Sequence, residues 1–476
     1  MQEPSSTQGP QPRQLRFLDY IMRGDNWIWT IYVILLCISI VEIFSATSQL
    51  TFQGGNASDP AYRHISFLLI GFFALLFFQS VDRRAILAWD KAFYFLGLLF
   101  LIALPFLGTD QKGAIRSIGG FQPVEFCKLG VVMLLCSAIT ARDAFYQQLP
   151  VAWYRTRIVG RRFITYLLII AVVAVPIAIQ NLSSALIIGM ASLGILFMGK
   201  VNGKYLWITI FAFGIAGIIF LSALYGVYRS NHPSGSSNLE NIESVTSSSS
   251  AESSKGATVV EKLFKRGSTW SERIFGHSGL PLWEEDIHGK KSQEIYSHMA
   301  IANSYPFGRF IGNSKMRDFL PEAFSDYIYA IIFEEWGPVG AFLVLLLYLI
   351  LLGRCYILSR RTDDAYLQLL IVGLPLIIVI QALIHIGVCT GAMFVTGQPL
   401  PLLSRGGSSI VGTSISFGLM LAVSRLIQSE QQERLAAAAS ESDDAEGPVV
   451  ADEDASRIVE IPVDEGIDQL QETNNE

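Results

Sequence analysis

The sequence predicts an all-α, polytopic integral membrane bundle of about ten transmembrane helices with one large exterior loop. Three observations predict it. Of 476 residues, 51% are hydrophobic and only 16% charged; the mean hydropathy is +0.41; and apolar runs of spanning length recur along the chain. So apolar a composition selects a bilayer as solvent, and each crossing needs about 20 predominantly apolar residues.

The runs lie at 27–46, 65–81, 92–108, 122–140, 164–180, 183–199, 204–226, 327–352, 366–390 and 406–427. Ten crossings put both termini on one side. Sixteen Lys and Arg residues, among them Arg13, Arg23, Arg84, Arg142, Arg161, Lys200 and Arg361, fall in short loops on that side, against Arg63, Lys112, Arg116 and Arg405 on the other. Basic residues mark the cytoplasmic loops. Both termini are therefore expected in the cytoplasm and the segment 227–326 outside. Residues 1–26 read as a cytoplasmic N-terminal segment rather than a cleavable signal, because the apolar run that follows is long enough to span and no small-residue cleavage site follows it.

The formal charge of -6 comes mostly from the end of the chain. Residues 428–476, with Ala436 to Ala439 and then mixed acid, are expected to form an acidic, disordered cytoplasmic tail, and the Ser-rich stretch Ser234 to Ser254 likewise has no packing signal. In the exterior loop Trp270, Ile274, Phe275, Leu282 and Trp283 could form amphipathic turns on the bilayer surface. Nothing suggests nucleic-acid binding. Cys37, Cys127, Cys136, Cys355 and Cys389 fall in or beside apolar runs without paired spacing, so they read as small core hydrophobes. No fixed-period repeat is evident, which weighs against an inverted-repeat transporter.

Three polar segments sit at membrane boundaries on the predicted exterior side, where they could converge. The first, Gly113 to Lys128, contains Arg116, Gln122, Pro123 and the pair Glu125 and Lys128, three apart and so on one helix face. A buried carboxylate and ammonium can neutralise each other, and such a pair also serves simply to hold a helix against its neighbours; intramembrane charge nevertheless makes function the first hypothesis. The second, Asp318 to Gly337, includes Glu322, Asp326, Glu334 and Glu335. Asp326 stands at the mouth of the eighth span, where a carboxylate suits the helix dipole and can act as an N-cap. Glu334 and Glu335 lie deeper, in structural hydrogen-bonding positions. The third runs from Gln381 and His385 through Thr396, Ser404, Arg405, Gly406, Gly407, Ser408 and Ser409. Its Pro399 and Pro401 exclude a regular helix, so a re-entrant turn is expected, and its glycines, hydroxyls and guanidinium suit a phosphate. His385 reads as a satisfied interior histidine, and the other histidines carry no assignment.

On Gly113-Ala114 with Arg116, Gln122-Pro123 with Glu125 and Lys128, Leu320-Pro321-Glu322 with Asp326, Glu334-Glu335, and Thr396-Gly397 to Ser409, the chain resembles the SEDS family of polytopic proteins of cell shape, division and sporulation, which includes RodA and FtsW. The likeness spans nearly all ten helices and leans to FtsW, with Asn181-Leu-Ser-Ser-Ala185 part of the pattern. It implies a peptidoglycan glycosyltransferase that polymerises lipid II, an undecaprenyl-diphosphate-linked disaccharide peptide, beside a class B penicillin-binding transpeptidase and other division or elongation proteins in the bacterial inner membrane.

The family's essential aspartate falls on Asp326 and its charged pair on Glu125 and Lys128. These are the expected catalytic residues, with Arg116, Gln122, Glu322, Ser404, Arg405, Ser408 and Ser409 as expected substrate contacts. A divalent cation, Mg or Mn, could share the diphosphate charge, although no ligand cluster compels a dedicated site. The sequence departs from the family at Ser117, Phe324, Ser325, His385 and Arg405, none of which removes the ionisable groups of the first two segments. A flippase for the same lipid, or a non-catalytic scaffold, would use many of the same features.

Overall fold

The computed structural model describes residues 22–52, 58–111, 114–117, 121–146, 152–201, 203–231, 292–320 and 323–445. Among them, eight helices are long and apolar enough to cross a membrane, and two shorter apolar helices lie between them in sequence. In order these are α1 (Asn26–Phe52), α2 (Ser58–Gln79), α3 (Arg83–Leu107), α4 (Pro123–Tyr146), α5 (Ala152–Gln180), α6 (Leu182–Met198), α7 (Gly203–Asn231), α9 (Ile328–Ser359), α10 (Ala365–Cys389) and α11 (Gly407–Ala445), with a non-spanning α8 (Ser292–Asn303) between α7 and α9. The shorter apolar stretches are those of α5 and α6. The chain is a multi-pass membrane protein.

Three departures from expectation have simple causes. A two-stranded antiparallel hairpin, β1 (Thr109–Gln111) and β2 (Ala114–Ser117), joins α3 to α4; its strands are too short to leave an alternating signal. The eleventh helix continues to Ala445, so residues 428–445 are helical rather than disordered, as their Gln, Glu, Arg, Leu and Ala content favours. The compact membrane unit ends at Glu430, and of the second unit, Gln431–Glu476, the described part is helix. Asp326 is not the N-cap residue: the residue immediately before α9 is Tyr327, whose own side chain makes no capping hydrogen bond. The aromatic turns expected between Trp270 and Trp283, and the Ser-rich stretch, lie outside the described residues.

Without water as a driving force between helices, packing depends on close backbone approach at small residues. Helices α3 and α4 meet this way. A Cβ on Gly130 would come within 2.5 Å of the Tyr94 backbone nitrogen, and one on Gly97 within 2.9 Å of Cys127 Sγ. Helix α10 is buried on nearly every side, so it forms the axis of the bundle. The outward rings and aliphatic chains of α7, Trp207, Phe211 and Ile218, are 69 to 71% exposed, a surface for lipid. Of the five cysteines, all free, only Cys37 is exposed.

At 32 residues α9 is about 48 Å long by helical rise, more than the ~30 Å hydrocarbon core requires. It breaks at Gly337, where φ is +73°, followed by Pro338. The break admits a neighbouring loop, since a Cβ on Gly308 would meet the Gly337 nitrogen at 2.4 Å. Buried Glu334, just before the break, accepts hydrogen bonds from the Ser314 hydroxyl and from the backbone N–H groups of Lys315 and Met316, both at 3.2 Å. Glu335 accepts from Ser45 on α1 and lies 3.9 Å from Arg317. Both glutamates thus have the structural role expected of them, fastening the segment before Asp326 to the bundle.

At the far end of α1, Asp25 accepts from the N–H groups of Trp27 and Ile28 and pairs with Arg354 of α9 at 2.6 Å. Its own N–H donates to Ser424 of α11. Three helices are clasped there, at the end opposite the polar segments.

Candidate functional site

Helix direction brings the three polar segments to one end. Helix α4 starts there with Glu125 and Lys128 in its first two turns, α9 starts there after Asp326, α10 ends there after His385, and α11 starts there at Gly407.

Lys128 Nζ lies 2.8 Å from Glu125 Oε1 and 2.8 Å from Gln381 Oε1 of α10. The side chains of the ion pair are 4% and 8% exposed. Two charges so deeply desolvated hold only if hydrogen bonds satisfy them, and Gln381 supplies one. Its amide nitrogen then donates to the Pro399 carbonyl at 2.8 Å, and one turn on, His385 Nδ1 lies 2.7 Å from the Gln398 carbonyl. The carbonyl only accepts, so Nδ1 carries the proton. Gln398 in turn donates to Asn181 Oδ1 (3.2 Å) and Ser184 Oγ (3.0 Å) at the start of α6.

This network holds the third segment as a re-entrant turn. The Pro401 carbonyl accepts from the Tyr348 hydroxyl (2.6 Å) and the Leu402 carbonyl from Ser39 (2.7 Å), residues from the interiors of α9 and α1. Ser404 spends its hydroxyl as acceptor for the Leu400 N–H at 2.7 Å, holding the turn from within. Ser408 and Ser409 lie buried in the first turn of α11, and Ser409 Oγ has no hydrogen-bond partner.

The turn meets the second segment at Arg405. Its N–H donates to the Phe324 carbonyl at 2.9 Å, and its guanidinium carbon sits 5.0 Å from the Phe324 ring centroid, a cation–π contact. Two residues on is Asp326, half-buried, with Oδ1 3.3 Å from the Ser325 hydroxyl and its carbonyl 3.9 Å from Cys389 Sγ at the end of α10. A bonded route therefore runs from the Glu125–Lys128 pair through Gln381, the re-entrant turn and Arg405 to the backbone that carries Asp326.

Of the remaining expected contacts, Gln122 is half-buried just before α4, where its carbonyl accepts from the Glu125 N–H. Arg116 is described only as part of the β2 backbone, and Glu322 lies outside the described residues. No three His, Cys, Asp or Glu side chains among the described residues come together as metal ligands. Sequence reasoning missed Gln381 as the bridge and Ser39 as a support, whose partners lie 253 and 363 positions away; the one available signal was polarity at spanning depth.

The fold and site define a polytopic membrane protein with an ion-paired polar site at one end of the bundle. The FtsW/RodA/SpoVE family, described as cell cycle proteins, matches residues 25–239 and 280–429, and the chain belongs to it. It is 27% identical to stage V sporulation protein E of Bacillus subtilis, covering 84% of this chain and 97% of that protein. It is 24% identical to the probable peptidoglycan glycosyltransferase FtsW of Lactococcus lactis, covering 83% and 90%. The fold is similar to a chain from a peptidoglycan synthase complex that coordinates polymerization and crosslinking (TM-score 0.59, 20% identity, covering 85% of this chain and 98% of that one). It is similar also to the rod shape determining protein RodA of Thermus thermophilus (TM-score 0.53, 20% identity, 84% and 97%).

Proposed function

We propose that this chain is a peptidoglycan glycosyltransferase that polymerises lipid II into glycan strands for septal wall synthesis. The family membership and the relatives named as probable glycosyltransferases support the activity. The observation that carries the assignment is the placing of one half-buried carboxylate, Asp326, two residues from the ring that Arg405 covers.

In the proposed reaction a sugar hydroxyl of one lipid-linked disaccharide attacks the anomeric carbon of another. A new carbon–oxygen bond forms, the bond to the diphosphate breaks, the polyprenyl diphosphate departs with the electron pair, and Asp326 accepts the hydroxyl proton as general base. Arg405 and Arg116, with the N–H groups and hydroxyls of Ser408 and Ser409 at the start of α11, hold the diphosphate, because a helix N-terminus and a guanidinium both complement an anion. Gln122 and Glu322 contact the sugars. Glu125 and Lys128 hold the turn bearing Arg405 through Gln381, and Ser404 acts by keeping that turn closed. A Mg or Mn ion entering with the substrate would share the diphosphate charge held by Arg405 and Arg116.

The exterior placement of the site in the inner membrane follows the basic bias of the opposite loops. A class B penicillin-binding transpeptidase is the proposed partner, and the fold's similarity to a chain from a complex that coordinates polymerization and crosslinking supports that reading. Purified chain in liposomes supplied with lipid II, with and without such a transpeptidase, tests it. Glycan strands resolved on a gel are expected. Movement of lipid II between leaflets without strands would make the protein a flippase, and neither result would leave a scaffold.

A further inference from the structure

His64, in the second turn of α2, and Ser39, inside α1, are both buried and belong to none of the three polar segments. Ser39 Oγ lies 2.7 Å from the Leu402 carbonyl oxygen and 2.8 Å from His64 Nε2. A serine hydroxyl has one proton and a carbonyl can only accept. The Ser39 proton therefore goes to Leu402, and the Ser39 oxygen accepts from His64 Nε2–H. The tautomer follows: Nδ1 is a bare lone pair, buried and without a hydrogen-bond partner.

The donors thus run in one direction, from His64 through Ser39 into the re-entrant turn. They arrive at a strained point, because Leu402 has φ +64°, a conformation that a side chain other than glycine's holds only when its surroundings impose it. Three residues later Arg405 is bonded to the Phe324 carbonyl and covers the Phe324 ring.

We infer that His64 and Ser39 are positioning residues for the proposed glycosyl transfer: their hydrogen-bond relay fixes the backbone at Leu402 and so sets Arg405, and the diphosphate it binds, relative to Asp326. The inference rests on the roles proposed above for Arg405 and Asp326. The relay predicts where substitution acts. Losing it misplaces an anion-binding group, which raises KM for lipid II more than it lowers kcat; a merely structural defect removes active molecules and leaves the KM of the remainder unchanged.

The test uses the full chain in liposomes with purified lipid II, and compares His64→Leu, His64→Gln, Ser39→Ala and the double variant His64→Leu/Ser39→Ala. His64→Leu and Ser39→Ala are each expected to raise KM about tenfold, the scale of one lost buried hydrogen bond. His64→Gln, whose amide reaches Ser39 as a donor, stays within about twofold, since the donated bond is what the relay uses. The double variant is no worse than the more severe single, because both remove one chain of bonds. Should His64→Leu fail to fold, Ser39→Ala and His64→Gln carry the same comparison. Unchanged KM in Ser39→Ala, or effects that add in the double variant, would overturn the relay. Asp326→Asn run alongside separates the two claims: if it is inactive while Ser39→Ala is normal, only the relay is wrong, and if it polymerises normally, the reading beneath the relay has failed.

Discussion

Lys128 on α4 and Gln381 on α10 are joined by a hydrogen bond of 2.8 Å, and that bond is where an intramembrane ion pair becomes mechanically connected to the turn bearing Arg405. The ammonium is neutralised by Glu125 one turn earlier, so the pair serves as a buried anchor whose strength depends on both charges.

Removing one charge should therefore be worse than removing both. Lys128→Met leaves the Glu125 carboxylate buried and uncompensated, an expected loss of about 3 to 5 kcal/mol, whereas Lys128→Met combined with Glu125→Gln should recover much of it. Thermal unfolding in detergent checks the order, and a double variant less stable than Lys128→Met would refute the anchor.

Gly337→Ala should be among the most damaging single-methyl changes in the chain. The backbone there is at φ +73°, and the new Cβ would meet the Phe307 carbonyl carbon at 2.7 Å. Strain and clash together are expected to cost about 2 to 4 kcal/mol, seen as a lowered Tm and poor yield of folded protein.

Glu334→Leu removes the acceptor that the Ser314 hydroxyl and two backbone N–H groups share. Hydrogen exchange should accelerate at Lys315 and Met316 before it changes in α10, because the loop loses its fastening while the central helix keeps its packing. Uniform exchange across both would show that the loop does not open separately.

The Asp25 clasp offers the converse case, a stabilising contact remote from the site. Asp25→Ala loses a charge-assisted pair with Arg354 and two capping bonds, an expected cost of about 2 to 3 kcal/mol. Polymerisation per folded molecule should be unchanged, and a large fall in KM-corrected rate at full folding would mean the two ends of the bundle are coupled.

The spans were readable because hydrophobic run length is a local property: α10 was expected at 366–390 and occupies Ala365–Cys389. Glu125, Lys128 and Asp326, the charged residues of the candidate site, stood out for a related reason, being conspicuous against apolar neighbours. Their supports were not. Gln381 meets a residue 253 positions away, and Ser39 one 363 positions away, distances over which no periodicity in the sequence carries information. Helix α8 escaped notice because its few buried positions, Ile295, Ser297 and Ala300, include a polar one and give no continuous apolar stripe. The extension of α11 to Ala445 was hidden by acidic composition, which suggested disorder where helix propensity decides.

The proposed glycosyl transfer turns on the proton that the acceptor hydroxyl must lose. Asp326→Asn keeps the size of the side chain while removing its basicity, so the direct measurement is glycan strand formation from purified lipid II by this variant beside the unaltered chain, with Tm recorded for both. The expected result is an unchanged Tm with strands reduced to background. A folded Asp326→Asn protein that makes strands at the unaltered rate would rule out Asp326 as the general base.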